Sequence, residues 1–118
     1  MKRDACKNPK SEKCERVKEA KITCGIDYKK IVKKYDKKGV LTYLDPPYEG
    51  SAKPKYDYKY NSVPLDEVLG VTKKMKGTGV LSYDPKRRRE ICGGKIKCRT
   101  IPFKFWGNPR KDLLAIKK

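Results

Sequence analysis

The sequence predicts an α/β fold: a mainly parallel sheet with an antiparallel hairpin at its C-terminal edge. Three observations predict it. Short runs of strand-forming residues alternate with segments of helical periodicity, which is the pattern of strands joined by helical crossovers. One run, Val40-Leu41-Thr42-Tyr43-Leu44, is almost continuously apolar, as suits a strand covered on both faces. The last two runs flank a Gly107-Asn108-Pro109 turn, as a hairpin requires.

Residues 1–20 form a polar arm in which Glu12 to Ala20 has weak helical character, its apolar face reduced to Val17 and Ala20. From residue 21 to 118 the chain reads as one unit. Ile22-Thr23-Cys24 suits a short strand, broken by Gly25. Asp27 is placed to cap a helix whose Tyr28, Ile31, Val32 and Tyr35 share one face, with Lys29, Lys30, Lys33 and Lys34 on the other. Asp36 to Gly39 ends that helix. The apolar strand over 40–44 stops at Asp45, because Pro46-Pro47 cannot continue a ladder. A polar loop over 49–61 follows. Ser62 can cap a helix reaching about Lys76, with Pro64 tolerated in its first turn and Leu65, Val68, Leu69, Thr72 and Met75 inward. Gly77-Thr78-Gly79 reads as a turn and Val80 to Tyr83 as a second buried strand. Asp84 to Glu90 is a basic loop or helical turn. Lys95 to Phe105 reads as a strand with Ile96, Cys98, Thr100 and Ile101 in the core, and Leu113 to Ile116 as the last strand.

The chain has 118 residues, enough for one domain or less, with little surplus stability. Hydrophobic residues make up 36% and charged residues 39%, but the apolar residues are clustered, so the chain is read as folded. Lys and Arg number 32 against 14 Asp and Glu, a net charge of +18. That excess suits either a solvated Lys-rich surface or attraction to a polyanion, most often nucleic acid. Charge does not separate DNA from RNA. No run approaches the roughly 20 apolar residues of a membrane span. The charged start, Met1-Lys2-Arg3-Asp4, is unlike a secretory signal, so the cytoplasm is the expected compartment. Cys6, Cys14, Cys24, Cys92 and Cys98 are odd in number and lack zinc-knuckle spacing, and there is no His. Free thiols and no metal site are expected.

Asp45-Pro46-Pro47-Tyr48 stands at the C-terminal end of an apolar strand, the rim where α/β sheets bind ligands. An ordinary Pro-Pro turn is the plain alternative. Tyr43-Leu44-Asp45-Pro46-Pro47-Tyr48 resembles the catalytic signature of Dam-like DNA adenine-N6 methyltransferases. Ile22 to Tyr28 with its helix, Val80 to Tyr83, and Leu113 to Ile116 resemble that family's neighbouring segments in order. The resemblance covers about residue 20 to the C-terminus.

It implies a partial Rossmann-like methyltransferase sheet, S-adenosylmethionine as cofactor and DNA as partner. Asp45 and the Pro46 carbonyl would take the two N–H groups of an adenine amine, and paired prolines would stiffen the turn. Tyr48 would offer a stacking face to an extruded base. Asp27 and Tyr28 match family positions near the methyl donor's adenosine, as does Asp45, although a helix cap and a core aromatic explain the first two equally well. Ser82 and Tyr83 are read mainly as packing. Lys53, Lys55, Tyr56, Tyr58, Lys59 and Tyr60 form a basic and aromatic loop that could grip phosphate and stack bases, or fold onto the scaffold. Arg87 and Arg88, within the run Lys86 to Arg89, suit phosphate contact or a solvated turn.

The family's glycine-rich methyl-donor loop and its target-recognition region have no counterpart in these residues. A split enzyme with a complementary chain, a relic that binds nucleic acid through charge, or an intact small enzyme with unfamiliar cofactor binding would each be consistent. The strand over 40–44 would lose its family neighbour and expose an apolar edge, so a second copy or a complementary subunit is expected to cover it.

Overall fold

A computed structural model of the chain describes residues 12–48 and 63–118. The N-terminal helix α1 spans Glu12–Glu19. Its Cys14 is fully buried and held in a disulfide. Ile22-Thr23-Cys24 forms no strand: it lies exposed, with no ladder partner among the described residues. Three strand-forming residues without a neighbour to pair with have nothing to hold them extended.

Helix α2 spans Tyr28–Tyr35. The cap is as the sequence predicts, with the Asp27 carboxylate accepting the Lys29 N–H at 2.9 Å. Tyr28, Ile31 and Val32 are half-buried, while Tyr35 remains 47% exposed. Strand β1, Leu41–Leu44, follows. Helix α3, Leu65–Lys73, then crosses to strand β2, Thr78–Tyr83, which runs parallel to β1 with Tyr43 opposite Val80. The inward face of α3 is the one its spacing predicts: Leu65, Val68, Leu69 and Thr72 are all buried, as is Met75 just beyond the helix.

Gly77-Thr78-Gly79 is not a free turn, because β2 already begins at Thr78. Gly79 is a strand residue beneath α3. A Cβ there would meet the Met75 sulfur at 2.6 Å and the Thr72 methyl of α3 at 3.2 Å, so a larger residue would have to displace the Met75 side chain and crowd the helix. Gly77 is equally confined: a Cβ would overlap the carbonyl oxygens of Val40 and Lys37. At this junction the Asp36 carboxylate accepts the N–H groups of Lys76 at 2.8 Å and Gly77 at 2.9 Å. The Thr78 N–H bonds Val40 O at 2.9 Å, and the Lys117 ammonium reaches the carbonyls of Met75 and Gly77. The starts of both parallel strands are thereby tied together.

A 3-10 turn, Pro85–Arg87, and a one-turn helix α4, Arg88–Ile91, lead to a long hairpin of β3, Ile96–Phe105, and β4, Asn108–Lys117. Sheet order is β1-β2-β4-β3. Only β1 and β2 are parallel, so the expected mainly parallel sheet is corrected to a mixed, open one. The hairpin enters beside β2, and each of its two ladders is antiparallel. The turn also shifts, to Trp106-Gly107, leaving Asn108 and Pro109 in the strand.

The core is one-sided. Leu81, Tyr83, Leu113 and Ala115 of the sheet pack with Leu65, Val68 and Leu69 of α3 and with Ile91 and Ile96. Side chains alternate across a sheet, so Tyr43, Val80 and Ile116 share the opposite face. There Leu41 is 65% and Tyr43 54% exposed, so β1 is covered on one face rather than two. Among the described residues it is also an edge strand. Thr100 and Ile101 are not core residues: β2 pairs with β4 only as far as Leu113, so the hairpin beyond that point leaves the sheet.

Cys92 and Cys98 are disulfide-bonded, which corrects the expectation of free thiols; Cys24 is free and exposed. The bend at Gly93-Gly94 brings Cys92 back alongside β3, with Cα atoms 5.9 Å apart. Such bonds are rare in reducing compartments outside hyperthermophiles, so the cysteines lend a cytoplasmic location no support. No helix among the described residues is long and apolar enough to cross a membrane.

Candidate active site

The end of β1 delivers Asp45 to the C-terminal rim of the parallel pair, where Pro46-Pro47 stops the ladder. Asp45 is exposed there as a residue. Its carboxyl is nonetheless raised above the usual carboxylate range, first by partial desolvation and then by the neighbouring charge of Asp112. The turn closes through the Val63 N–H to Pro47 O, 3.3 Å. Outside the strand ladders, and among the described residues, no backbone N–H reaches the Pro46 carbonyl.

Tyr48 turns back onto the sheet. Its hydroxyl donates to Asp112 Oδ1 at 2.5 Å, and Ser82 Oγ donates to Asp112 Oδ2, also at 2.5 Å. The two hydroxyls lie 3.4 Å apart. The Tyr48 ring packs on Tyr83, with centroids 4.8 Å apart and planes tilted by 38°. Burial, followed by the bond to Asp112, pushes the Tyr48 phenol well above its ordinary value. One side of the ring is thus given to Tyr83, and a base could use only what is left. Asp112, in β4, ties β2 and the turn after β1 together at this rim and was not singled out from the sequence. A signal existed: it is the only Asp or Glu after Glu90.

Asp27 and Tyr28 stand together at the start of α2, and both are engaged. Asp27 caps the helix; the Tyr28 hydroxyl donates to Glu67 Oε2 at 2.7 Å, and the Lys29 ammonium holds Glu67 Oε1 at 3.2 Å. Burial and Glu67 raise the Tyr28 phenol. Arg87 pairs with Glu90 through two bonds of 2.8 and 2.5 Å. Arg88 donates to Thr100 Oγ1 at 3.1 Å, which places it against β3. Lys53, Lys55, Tyr56, Tyr58, Lys59 and Tyr60 lie outside the described residues.

Two acceptors stand next to each other in the chain at one strand tip, the Asp45 carboxylate and the Pro46 carbonyl. The residues expected near S-adenosylmethionine are differently placed. Asp27 and Tyr28 already serve the α2 cap and the tie to α3, so the described residues do not form a methyl-donor site by themselves. Among the described residues no group of three or more Cys, Asp or Glu is placed to hold a metal ion. Compared with protein-family profiles, curated proteins and solved structures, the chain finds no match.

Proposed function

We propose that the 41–48 segment is the adenine-holding part of a DNA adenine-N6 methyltransferase, and that a complementary chain supplies the methyl-donor part. The observation that carries this reading is the arrangement of the Asp45-Pro46-Pro47-Tyr48 turn. Tyr48 is anchored inward by Asp112 and Tyr83, while the Asp45 carboxylate stands at the open rim. An adenine amine is a weak nucleophile because its lone pair is delocalised into the ring. Asp45 and the Pro46 carbonyl, each taking one N–H, would hold the amine with its lone pair facing the electrophilic methyl group. A carboxylate raised in pKa is the stronger acceptor and better stabilises positive charge developing on the nitrogen. Alignment of the donor methyl with the acceptor nitrogen would supply much of the rest.

A second reading is a relic that binds nucleic acid through its +18 charge without catalysis. The engagement of Asp27 and Tyr28 favours it. One experiment separates the two: anisotropy titration of the full chain with oligo-dA and oligo-dT. The adenine-holding site predicts about fivefold tighter binding of oligo-dA, the scale of one net hydrogen bond, abolished by Asp45→Ala. Equal affinity for both oligomers in the unsubstituted chain would refute the adenine-holding site and leave the relic.

A further inference from the structure

The outer hairpin is built unlike the rest of the sheet. From Ile101 opposite Asp112 to Phe105 opposite Asn108, beyond the last β2 partner at Leu113, β3 and β4 pair only with each other among the described residues. Five residue pairs at about 3.4 Å each give a ribbon projecting roughly 17 Å from the sheet. An isolated two-stranded ribbon has little stability of its own. This one is rooted at Asp112, which Tyr48 and Ser82 hold by hydrogen bonds.

Its tip is a two-residue turn in which both residues have positive φ, 52° at Trp106 and 79° at Gly107. Such turns favour Asn-Gly, because a short polar side chain tolerates the left-handed region. A bulky tryptophan there is a backbone outlier that costs stability. The residue is also 87% exposed. Turn preference does not account for tryptophan at this place, and backbone outliers of this kind concentrate at functional sites.

The surroundings state the charge of the partner. Residues 95–111 contain six Lys and Arg and no Asp or Glu. Across the ribbon Phe103 stands opposite Arg110 and Lys104 opposite Pro109, so apolar and cationic groups alternate along it. Arg88, on Thr100 Oγ1, extends the basic strip toward α4. An aromatic platform set among cations is the arrangement that stacks bases while holding phosphates.

We propose that the β3–β4 ribbon is a nucleic-acid-binding finger, with Trp106 stacking on an unpaired base while Lys104 and Lys111, which share one face of the ribbon, engage the flanking phosphates. Its ligand is single-stranded or locally opened nucleic acid. Recognition is by stacking and charge, so it does not discriminate between bases and does not depend on the adenine-holding reading.

Trp106 is the only tryptophan in the chain, so its fluorescence reports the finger alone. Titration of the full chain with oligo-dT should quench that emission and shield it from iodide. Trp106→Ala should weaken oligo-dT binding about tenfold. Trp106→Asn tests the same point without risk to the fold: a turn-favouring residue should raise the melting temperature and still weaken binding. Oligo-dT binding that leaves the emission unchanged would overturn the proposal. So would Trp106→Asn with unaltered affinity. Blue-shifted emission on phosphatidylglycerol vesicles, with no response to oligo-dT, would assign the finger to an anionic membrane surface instead. A change at Trp106 should lower affinity for oligo-dA and oligo-dT alike, whereas Asp45→Ala should remove only the preference between them.

Discussion

Asp112→Asn perturbs the rim at its centre while keeping the side chain's shape. The carboxylate now accepts one hydroxyl on each oxygen, from Tyr48 and from Ser82. The amide keeps one acceptor and presents an NH2 to the other hydroxyl. One charge-assisted bond is lost and the other becomes neutral. At roughly 2 kcal/mol for a bond to a charged group and about 1 for a neutral one, the gross loss is about 3 kcal/mol. Partial exposure and relief of the repulsion on Asp45 reduce it to about 2 kcal/mol. In a chain of this size that lowers the melting temperature by about 8 °C. The assay is a double-mutant cycle with Tyr48→Phe, read by thermal and urea unfolding. The two changes remove the same bond, so they should be non-additive by about 1–2 kcal/mol. In the same variant the Asp45 pKa should fall back toward its ordinary value, with the part due to desolvation remaining. Additivity within about 0.5 kcal/mol, or an unchanged melting temperature, would show that Asp112 does not organise the rim.

Two further outcomes follow from the opposite end and face of the sheet. Asp36 is held below the usual carboxylate range by the Gly77 and Lys76 N–H groups, so its stabilising contribution is complete above its unfolded value and is lost as pH falls through the depressed folded one. Asp36→Asn should therefore flatten the fall in melting temperature below about pH 4, and parallel acid-unfolding profiles for the two proteins would refute this. The exposed Leu41 and Tyr43 on edge strand β1 should make the isolated chain self-associate with concentration. Tyr43→Lys should shift that association by about tenfold in sedimentation velocity, and a strictly monomeric parent would refute it.

The elements carried by local periodicity were legible in the sequence. The α3 face is an example, because Leu65, Val68, Leu69 and Thr72 recur at helical spacing whatever they pack against. The Asp27 cap and the stop at Pro46-Pro47 were legible for the same reason: each depends on neighbours within a few residues. Strand direction was not. An apolar run such as Val80 to Tyr83 carries no mark of which chain segment lies beside it, and β4 took that place antiparallel. Ile22-Thr23-Cys24 shows the converse, strand-forming residues without a partner. At the rim, the Asp45-Pro46-Pro47-Tyr48 run was visible as a motif. Its anchor was not, because Asp112 lies 64 residues from Tyr48 and 30 from Ser82. The Trp106 turn was hidden because tryptophan carries no turn preference, while Gly107-Asn108-Pro109 carries a strong one one residue later.

The knot at Gly77 sets where this fold can vary. With Val40 and Lys37 carbonyls against its α-carbon and the Asp36 carboxylate on its N–H, residue 77 accepts no other amino acid without moving two strands at once. The far rim, where Asp45 and the ribbon root at Asp112 lie, has no comparable steric lock among its described residues. A mutational library drawn over the chain should therefore come back lopsided: few substitutions tolerated at 77 and 79, and many at the ribbon tip beyond Asp112, where new specificities would have room to arise.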